Sequence, residues 1–399
     1  MLESLLIAGI AVSLFVGYNI GGATTGPAFG PAVGSGVLSK VAAAALMSVC
    51  FFAGAWTVGR RVVSTLGEDL VSGASVFTLE TSVVVLFFIG GALFVGNYAG
   101  VPASTSMTAV GSIAGLGLAS GQLNWAVMGE IVSWWIVAPI IGFWVAGMIG
   151  RYFYVYLDNL IAIDQTDGPL VEFDRSTVVP KPTLGPGTTG RELIGSGVVV
   201  GIGCIMAFGS GTSNIANAIA PLVGSGQLDM NIGIMIGSLA VAVGALTIGR
   251  RTMETLGNDI THLPLTAAIV VATISSLLVI GLSSIGVPAS FVVIATMAIV
   301  GLGWGRATRT TKLADSVRGD ESPRASVGAL AADEETATVG DPTITGETEA
   351  EPIGEEEPAE VPAASELFNP STTARVVIMQ NVVPIFATIG SYATFLLLF

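Results

Sequence analysis

The stretch from Gly209 to Gly226 combines residues that can bind an anion with residues that interrupt a membrane helix. It reads GSGTSNIANAIAPLVGSG and lies between strongly apolar runs. Hydroxyl groups, amide groups and the backbone N–H groups at a helix start all donate hydrogen bonds to oxyanions. Helix-breaking residues at membrane depth are tolerated where the backbone lines a cavity or is buried in protein. The stretch therefore predicts a broken helix at a substrate site.

This stretch has a second copy 190 residues earlier, at Asn19 to Gly36, which reads NIGGATTGPAFGPAVGSG. At the same offset, GAWTVGRRVVSTLGED (Gly54 to Asp69) aligns with GALTIGRRTMETLGND (Gly244 to Asp259). The tetrapeptide VPAS occurs in each half, ending at Ser104 and at Ser290. Duplicated halves with paired broken helices are typical of secondary transporters and indicate alternating access between two repeats.

The two copies and the first VPAS segment supply a set of neutral polar side chains that can bind a tetrahedral oxyanion. The alternative is that these hydroxyls only pack helices and donate to carbonyls of their own helix. Hydroxyl, amide and carbonyl oxygens can also hold a sodium ion, which makes Thr24 and Asn214 candidates for a coupling-ion site. The predicted substrate-binding residues are Thr24, Thr25, Ser104, Thr105, Ser106, Thr212, Ser213, Asn214 and Asn217.

Glu130 is an acidic residue inside an apolar segment, MGEIVSWW. An ionisable residue in a membrane span is a candidate functional site, here a proton site. Gln122 and Asn124 precede it closely, so a position at the membrane interface is the alternative.

Composition places the chain in the membrane. Of its 399 residues, 52% are hydrophobic and 11% are charged, whereas soluble domains carry about 25% charged residues. Apolar runs near spanning length recur, which predicts an all-α polytopic membrane protein with about ten to twelve membrane segments. The sequence has one histidine and no Walker A or HExxH pattern, so we expect neither an enzyme nor a resident cofactor or metal, and nothing in it indicates nucleic-acid binding.

The charge distribution separates the membrane part from a polar tract. About half of the 29 acidic residues lie between Asp315 and Glu366. Such a tract fits either a salt-adapted source, such as a halophilic archaeon, or an ordinary acidic disordered loop. The predicted organisation is a first transmembrane repeat (1–150), an aqueous linker (151–190), a second repeat (191–304), an acidic disordered loop (305–370) and a final transmembrane helix (371–399).

At these motifs the chain resembles the PiT family of inorganic phosphate transporters, whose relatives include sulfate permeases. The family's GANDVANA-type signature is matched by GTSNIANA, from Gly211 to Ala218, and more weakly by the first copy. Its later hairpin motif is matched at Pro102, Ser104, Thr105 and Ser106. The family's signature aspartate is replaced by Thr24 in the first copy and by Asn214 in the second.

The resemblance implies a multi-pass transporter of inorganic phosphate in the plasma membrane. It also implies inverted repeats, coupling to sodium or protons, and a homodimer. Two alternatives stay open: a permease for sulfate or another tetrahedral oxyanion, and a non-transporting membrane sensor that uses the acidic segment to contact a partner.

Overall fold

The fold is almost entirely helical, as expected of an all-α polytopic membrane protein. The computed structural model describes residues 2–34, 36–72, 76–98, 104–161, 171–174, 181–184, 189–259, 265–308 and 370–398. In these ranges, eight helices are long and apolar enough to cross a membrane, and two shorter apolar helices accompany them. The ten segments agree with the lower end of the number expected from the sequence.

Each half contributes five of these helices. The first half contains α1 (Leu2–Gly34), α2 (Lys40–Asp69), α3 (Leu79–Tyr98), α4 (Thr105–Ala119) and α5 (Trp125–Tyr152). Between the halves lie α6 (Tyr154–Ile161) and two antiparallel strands, β1 (Val171–Asp174) and β2 (Lys181–Leu184). The second half contains α7 (Gly190–Gly224), α8 (Met230–Asp259), α9 (Leu265–Ser284), α10 (Phe291–Ala307) and α11 (Pro370–Leu398).

The predicted domain boundaries are not tested by the fold, but most of them fall near helix ends. Helix α5 runs two residues past the predicted end of the first repeat. The predicted linker holds α6 and the two strands, and α11 coincides with the predicted final span. Most of the predicted acidic loop, residues 309–369, lies outside the described residues.

The expectation of broken helices at the two glycine-rich motifs was wrong. Helices α1 and α7 continue through the motifs, with Pro27, Pro31 and Pro221 inside them. Neighbouring hydroxyls bind the α7 backbone where the proline lies: Ser13 Oγ donates to the carbonyl of Ala218, and Ser82 Oγ to that of Pro221, both at 2.7 Å. These hydrogen bonds tie the α7 backbone next to the proline to α1 and α3, while the carbonyl that Pro221 itself leaves without a helical donor is that of Asn217. The free N–H groups expected at these motifs are therefore absent from α1 and α7 as described.

The interruption that the structure describes lies instead at the second VPAS segment, from Val287 to Ser290; residues 99–103, which hold most of the first VPAS segment, lie outside the described residues. The short helices α4 and α10 begin immediately after Ser104 and Ser290, whose extended backbone and side-chain hydrogen bonds make them N-caps. In the second half, Gly286 closes the turn between α9 and α10 with φ of +85°, a conformation that favours glycine.

The two halves are interlocked through small residues. Gly21 of α1 packs on the backbone of Val241 in α8, and Gly211 of α7 packs in the same way on Phe51 in α2. These contacts are equivalent at the 190-residue offset. Further along, Gly249 contacts Thr25, so α1 and α8 run parallel. Small residues allow this close backbone approach between membrane helices.

Candidate functional site

The N-terminal ends of α4 and α10 meet in the interior. Ser104 Oγ donates to Ser290 Oγ at 3.0 Å, and both serines are buried. Each also caps its own helix, by accepting from the N–H of Met107 at 3.3 Å and of Val293 at 3.4 Å. The first N–H groups of a helix have no intrahelical acceptor, and that end carries partial positive charge. Two such ends therefore favour an anion between them.

A dense set of hydrogen bonds holds the segment before α10 in place. The carbonyl of Ala289 accepts from Ser106 Oγ and from Ser213 Oγ, each at 3.0 Å. The N–H of Ala289 donates back to Ser213 Oγ at 3.1 Å. Trp135 Nε1 donates to the carbonyl of Pro288 at 2.8 Å. Ser106 and Ser213 therefore position the α10 N-terminus.

Asn214 connects α7 to the N-terminus of α4. Its Oδ1 accepts from Thr105 Oγ1 at 2.7 Å and from Asn217 Nδ2 at 3.3 Å. Its Nδ2 donates to Ser210 Oγ at 3.0 Å. Ser210, Asn214 and Asn217 share one helix face because residues three and four apart are neighbours.

A cavity of about 60 Å³ opens between these elements, and each half supplies six of its twelve lining residues. One water needs roughly 10–15 Å³ measured in this way, so the space suits about four waters or a small oxyanion. No lining side chain is ionisable. The polar lining residues are Thr24, Ser104, Thr105, Ser210, Asn214 and Ser290.

The structure brings together only part of the predicted substrate-binding set. Thr24, Ser104, Thr105 and Asn214 line the cavity, and Thr24 and Asn214 are equivalent positions of the two halves. Asn217 is fully buried beside Asn214 and does not line the cavity; its Oδ1 has no hydrogen-bond partner among the described residues.

Three other predicted residues lie elsewhere. Thr25 donates to the Gly21 carbonyl at 2.6 Å and packs against Gly249 at the α1–α8 contact. Thr212 Oγ1 donates to the carbonyl of Gly209 at 2.8 Å and shares a hydrogen bond with Ser283 Oγ at 3.1 Å. Glu130 is exposed near the start of α5 and does not line the cavity.

The sequence-based set omitted Ser210 and Ser290, which line the cavity. Ser210 lies one helical turn before Asn214. Ser290 occupies the position in the second VPAS segment that Ser104 occupies in the first. Helical spacing and the repeat would both have indicated them.

Thr24 and Thr25 offer a direct test of which threonine faces the substrate. Each donates to a carbonyl of its own helix, at 2.8 Å and 2.6 Å, but only Thr24 lines the cavity. We expect Thr24→Val to lower anion uptake by about tenfold, the loss of one useful hydrogen bond. Thr25→Val removes only a hydrogen bond to a carbonyl of its own helix, outside the cavity lining, so uptake at equal amounts of folded protein is expected to stay within twofold. Equal losses in both variants, measured in reconstituted vesicles, would contradict this assignment.

Within the described residues, ten apolar helices form two halves around a cavity with polar side chains, the arrangement expected of a membrane transporter. Residues 20–326 match the phosphate transporter family, and the chain belongs to that family.

Relatives and a solved structure agree with this assignment. The chain is 30% identical over 310 residues to the sulfate permease CysP of Bacillus subtilis, covering 75% of this chain and 77% of the relative. It is 23% identical to a protein of Chlamydia trachomatis provisionally named a phosphate permease, covering 77% and 92%. The solved structure of a sodium-dependent phosphate transporter matches with a TM-score of 0.65 and 16% identity, covering 99% of both chains.

Proposed function

We propose that this chain carries inorganic phosphate across the plasma membrane as a secondary transporter, with the anion bound between the N-termini of α4 and α10. The observation that carries the proposal is the cavity of about 60 Å³, which both halves line and whose polar lining includes Asn214 and the N-cap serines of α4 and α10. Family membership and the phosphate and sulfate permeases among the relatives support a tetrahedral oxyanion as the substrate.

The proposed mechanism is alternating access between two inverted halves. A short connection between Gly34 and Lys40 joins α1 to α2, as expected for consecutive spans of opposite direction. Helix α7 packs parallel to α2: Gly54 contacts Phe208, whereas Gly67 contacts Ala220 further along both helices. Helices α7 and α1 would then cross in opposite directions, and this arrangement supports inversion of the repeats.

Sodium is the coupling ion that we propose. Neutral oxygens are hard ligands of the kind that sodium accepts, and the buried Oδ1 of Asn217 lacks a hydrogen-bond partner among the described residues. Asn217 Oδ1 on α7 and Thr24 Oγ1 on α1 would contribute to the ion site beside the anion. Asn214 Oδ1 would join them by releasing the hydrogen bond from Thr105 or from Asn217. The solved structure with the same fold is that of a sodium-dependent transporter. The exposed Glu130 is a weaker candidate, because a proton at that position would not reach the cavity side chains directly.

The proposal predicts sodium-driven accumulation of labelled phosphate in proteoliposomes. An inward sodium gradient should raise the initial uptake rate at least about tenfold over a potassium gradient, because an ion that binds the substrate-bound state increases its occupancy. Uptake driven by a proton gradient in the absence of sodium tests whether protons are the coupling ion instead. Absence of both uptake and counterflow under every gradient would instead favour the membrane sensor. Chemical cross-linking in the same vesicles would test the expected homodimer.

A further inference from the structure

We propose that Cys50 and Cys204 form a dithiol site at the contact between α2 and α7, and that an organic hydroperoxide dissolved in the bilayer converts this site to a disulfide. These two residues are the only cysteines of the chain, and both are free thiols in the structure. The inference goes beyond the proposed function, because neither cysteine lines the cavity. Its basis is the packing of the two helices.

The register of α2 and α7 places the two thiols opposite each other. The helices approach at backbone distance at Gly54, where an added Cβ atom would lie 2.1 Å from the carbonyl oxygen of Phe208. Cys50 precedes Gly54 by one helical turn, and Cys204 precedes Phe208 by one turn. Residues four apart share a helix face, and the two helices run parallel, so both cysteines lie on the contact faces. The two side chains accordingly interact directly and pack against the same hydrophobic core.

The dithiol site lies at the depth of the membrane hydrocarbon. Cys50 follows Lys40, the first residue of α2, by about 15 Å at 1.5 Å per residue, which is half of a hydrocarbon core roughly 30 Å thick. Both cysteines are half-buried. The adjacent Val49 and Ile205 are exposed apolar side chains, as expected of residues that face lipid. A reactant must therefore dissolve in hydrocarbon, and hydroperoxides formed on acyl chains do so.

The chemistry needs both thiols. One sulfur attacks the terminal oxygen of the hydroperoxide, the O–O bond breaks, and the proton of the thiol leaves with the alcohol. The resulting sulfenic acid condenses with the second thiol, which forms the S–S bond and releases water. In total the two thiols lose two electrons and two protons, and the hydroperoxide is reduced to an alcohol and water. A single cysteine at this depth would stop at the sulfenic acid or oxidise further.

The disulfide would join two helices that already pack closely along their length. An added Cβ atom at Gly211 would lie 2.0 Å from the carbonyl oxygen of Phe51, and one at Gly224 would lie 2.2 Å from that of Gly67. These contacts interlock the helices, so we expect α2 and α7 to move together during transport. A cross-link between residues distant in sequence stabilises mainly by restricting the unfolded chain. Oxidation should therefore stabilise the fold and leave uptake unchanged.

The first experiment treats the full-length protein in liposomes with cumene hydroperoxide. Maleimide labelling under denaturing conditions should find two thiols per chain before treatment, none after it, and two again after dithiothreitol. Peptide mapping without reduction should find Cys50 joined to Cys204 within one chain. Cysteines that keep their thiols, that carry oxygen in place of the cross-link, or that join two copies of the chain would overturn the proposal. This measurement does not depend on uptake, so it is separate from any failure of the proposed function.

The second experiment compares melting temperatures and uptake, with Cys204→Ala as the matched control. Oxidation should raise the melting temperature of the wild type by about 5 °C or more, an effect that dithiothreitol reverses. Cys204→Ala keeps Cys50 but removes its partner, so treatment should give a sulfenic acid that dimedone traps and no rise in melting temperature. An equal rise in the variant would contradict a stabilising cross-link. Loss of uptake on oxidation of the wild type, reversed by dithiothreitol, would show that α2 and α7 separate during transport and would contradict their movement as one unit.

Discussion

Replacing Gly211 with alanine is expected to prevent formation of the folded membrane protein. A Cβ atom at this position would lie 2.0 Å from the backbone carbonyl oxygen of Phe51 and 2.8 Å from its carbonyl carbon. Neither atom belongs to a flexible side chain, so α7 and α2 must separate. Overpacking typically costs about 1–3 kcal/mol and occasionally more, and a clash with rigid backbone belongs at the upper end, which is a large part of the stability of a folded domain. The substitution also displaces Ser210 and the neighbouring cavity residues.

The measurement is the yield and melting temperature of detergent-purified protein, with Gly201→Ala as the matched control. Gly201 lies on the same helix, and a Cβ atom there would meet nothing within 4 Å. The control should therefore melt within a few degrees of the wild type, since alanine favours helix over glycine. A Gly211→Ala protein with normal yield and melting temperature would show that α2 and α7 are not packed as described.

The repeat predicts that the equivalent substitution in the first half, Gly21→Ala, is similarly destabilising. Gly21 is equivalent to Gly211, and its added Cβ atom would lie 2.1 Å from the carbonyl oxygen of Val241, the equivalent of Phe51.

This correspondence shows how much of the fold can be predicted from the sequence alone. The constant 190-residue offset predicts two homologous halves and which residues occupy matching positions. It does not predict that the first helix of each half packs on the second helix of the other half, α1 on α8 and α7 on α2, because this pairing depends on tertiary contacts.

The glycine-rich motifs show where reasoning from local sequence fails. Proline and glycine predict an interruption, but the hydroxyls of Ser13 and Ser82 bind the α7 backbone near Pro221. Those serines are distant in sequence, and their role appears only after folding. The short helices begin instead after Ser104 and Ser290, where the two VPAS sequences end, each before a short apolar run. A cap serine followed by too few residues for a full span was the available signal.

The kinds of side chain at the candidate site could be predicted from the sequence, but only some of the individual residues could. Polar residues crowd each motif, and residues adjacent in sequence face different neighbours on a helix. Asn214 faces the cavity, whereas Thr212, two residues earlier, points to Ser283 on α9. Sequence alone does not determine which face of a helix surrounded by protein meets the substrate. The repeat reduces this ambiguity, because Thr24 and Asn214 are equivalent and both line the cavity.

Asn214→Leu is expected to lower phosphate uptake at least about 100-fold, equivalent to about 2.7 kcal/mol. Leucine has the same number and branching of side-chain heavy atoms as asparagine, but it accepts and donates no hydrogen bond. The hydroxyl of Thr105 and the amide of Asn217 lose their acceptor, and Ser210 loses its donor. A buried polar group left without a partner costs about 1–3 kcal/mol. An apolar side chain would also replace a donor at the proposed anion site.

The effect should be specific to transport, because α7 keeps its packing on α2 through Gly211 and Phe208. Thr212→Val is the matched control on the same helix, outside the cavity lining. It loses the buried contacts of Thr212 with the Gly209 carbonyl and with Ser283, but no cavity group, so uptake at equal amounts of folded protein should stay within about threefold. The comparison uses initial uptake rates at equal amounts of reconstituted protein, together with melting temperatures. Near-normal uptake by a folded Asn214→Leu protein would place the anion elsewhere. Equal losses in both variants would indicate that α7 transmits a structural change and does not bind the substrate through Asn214.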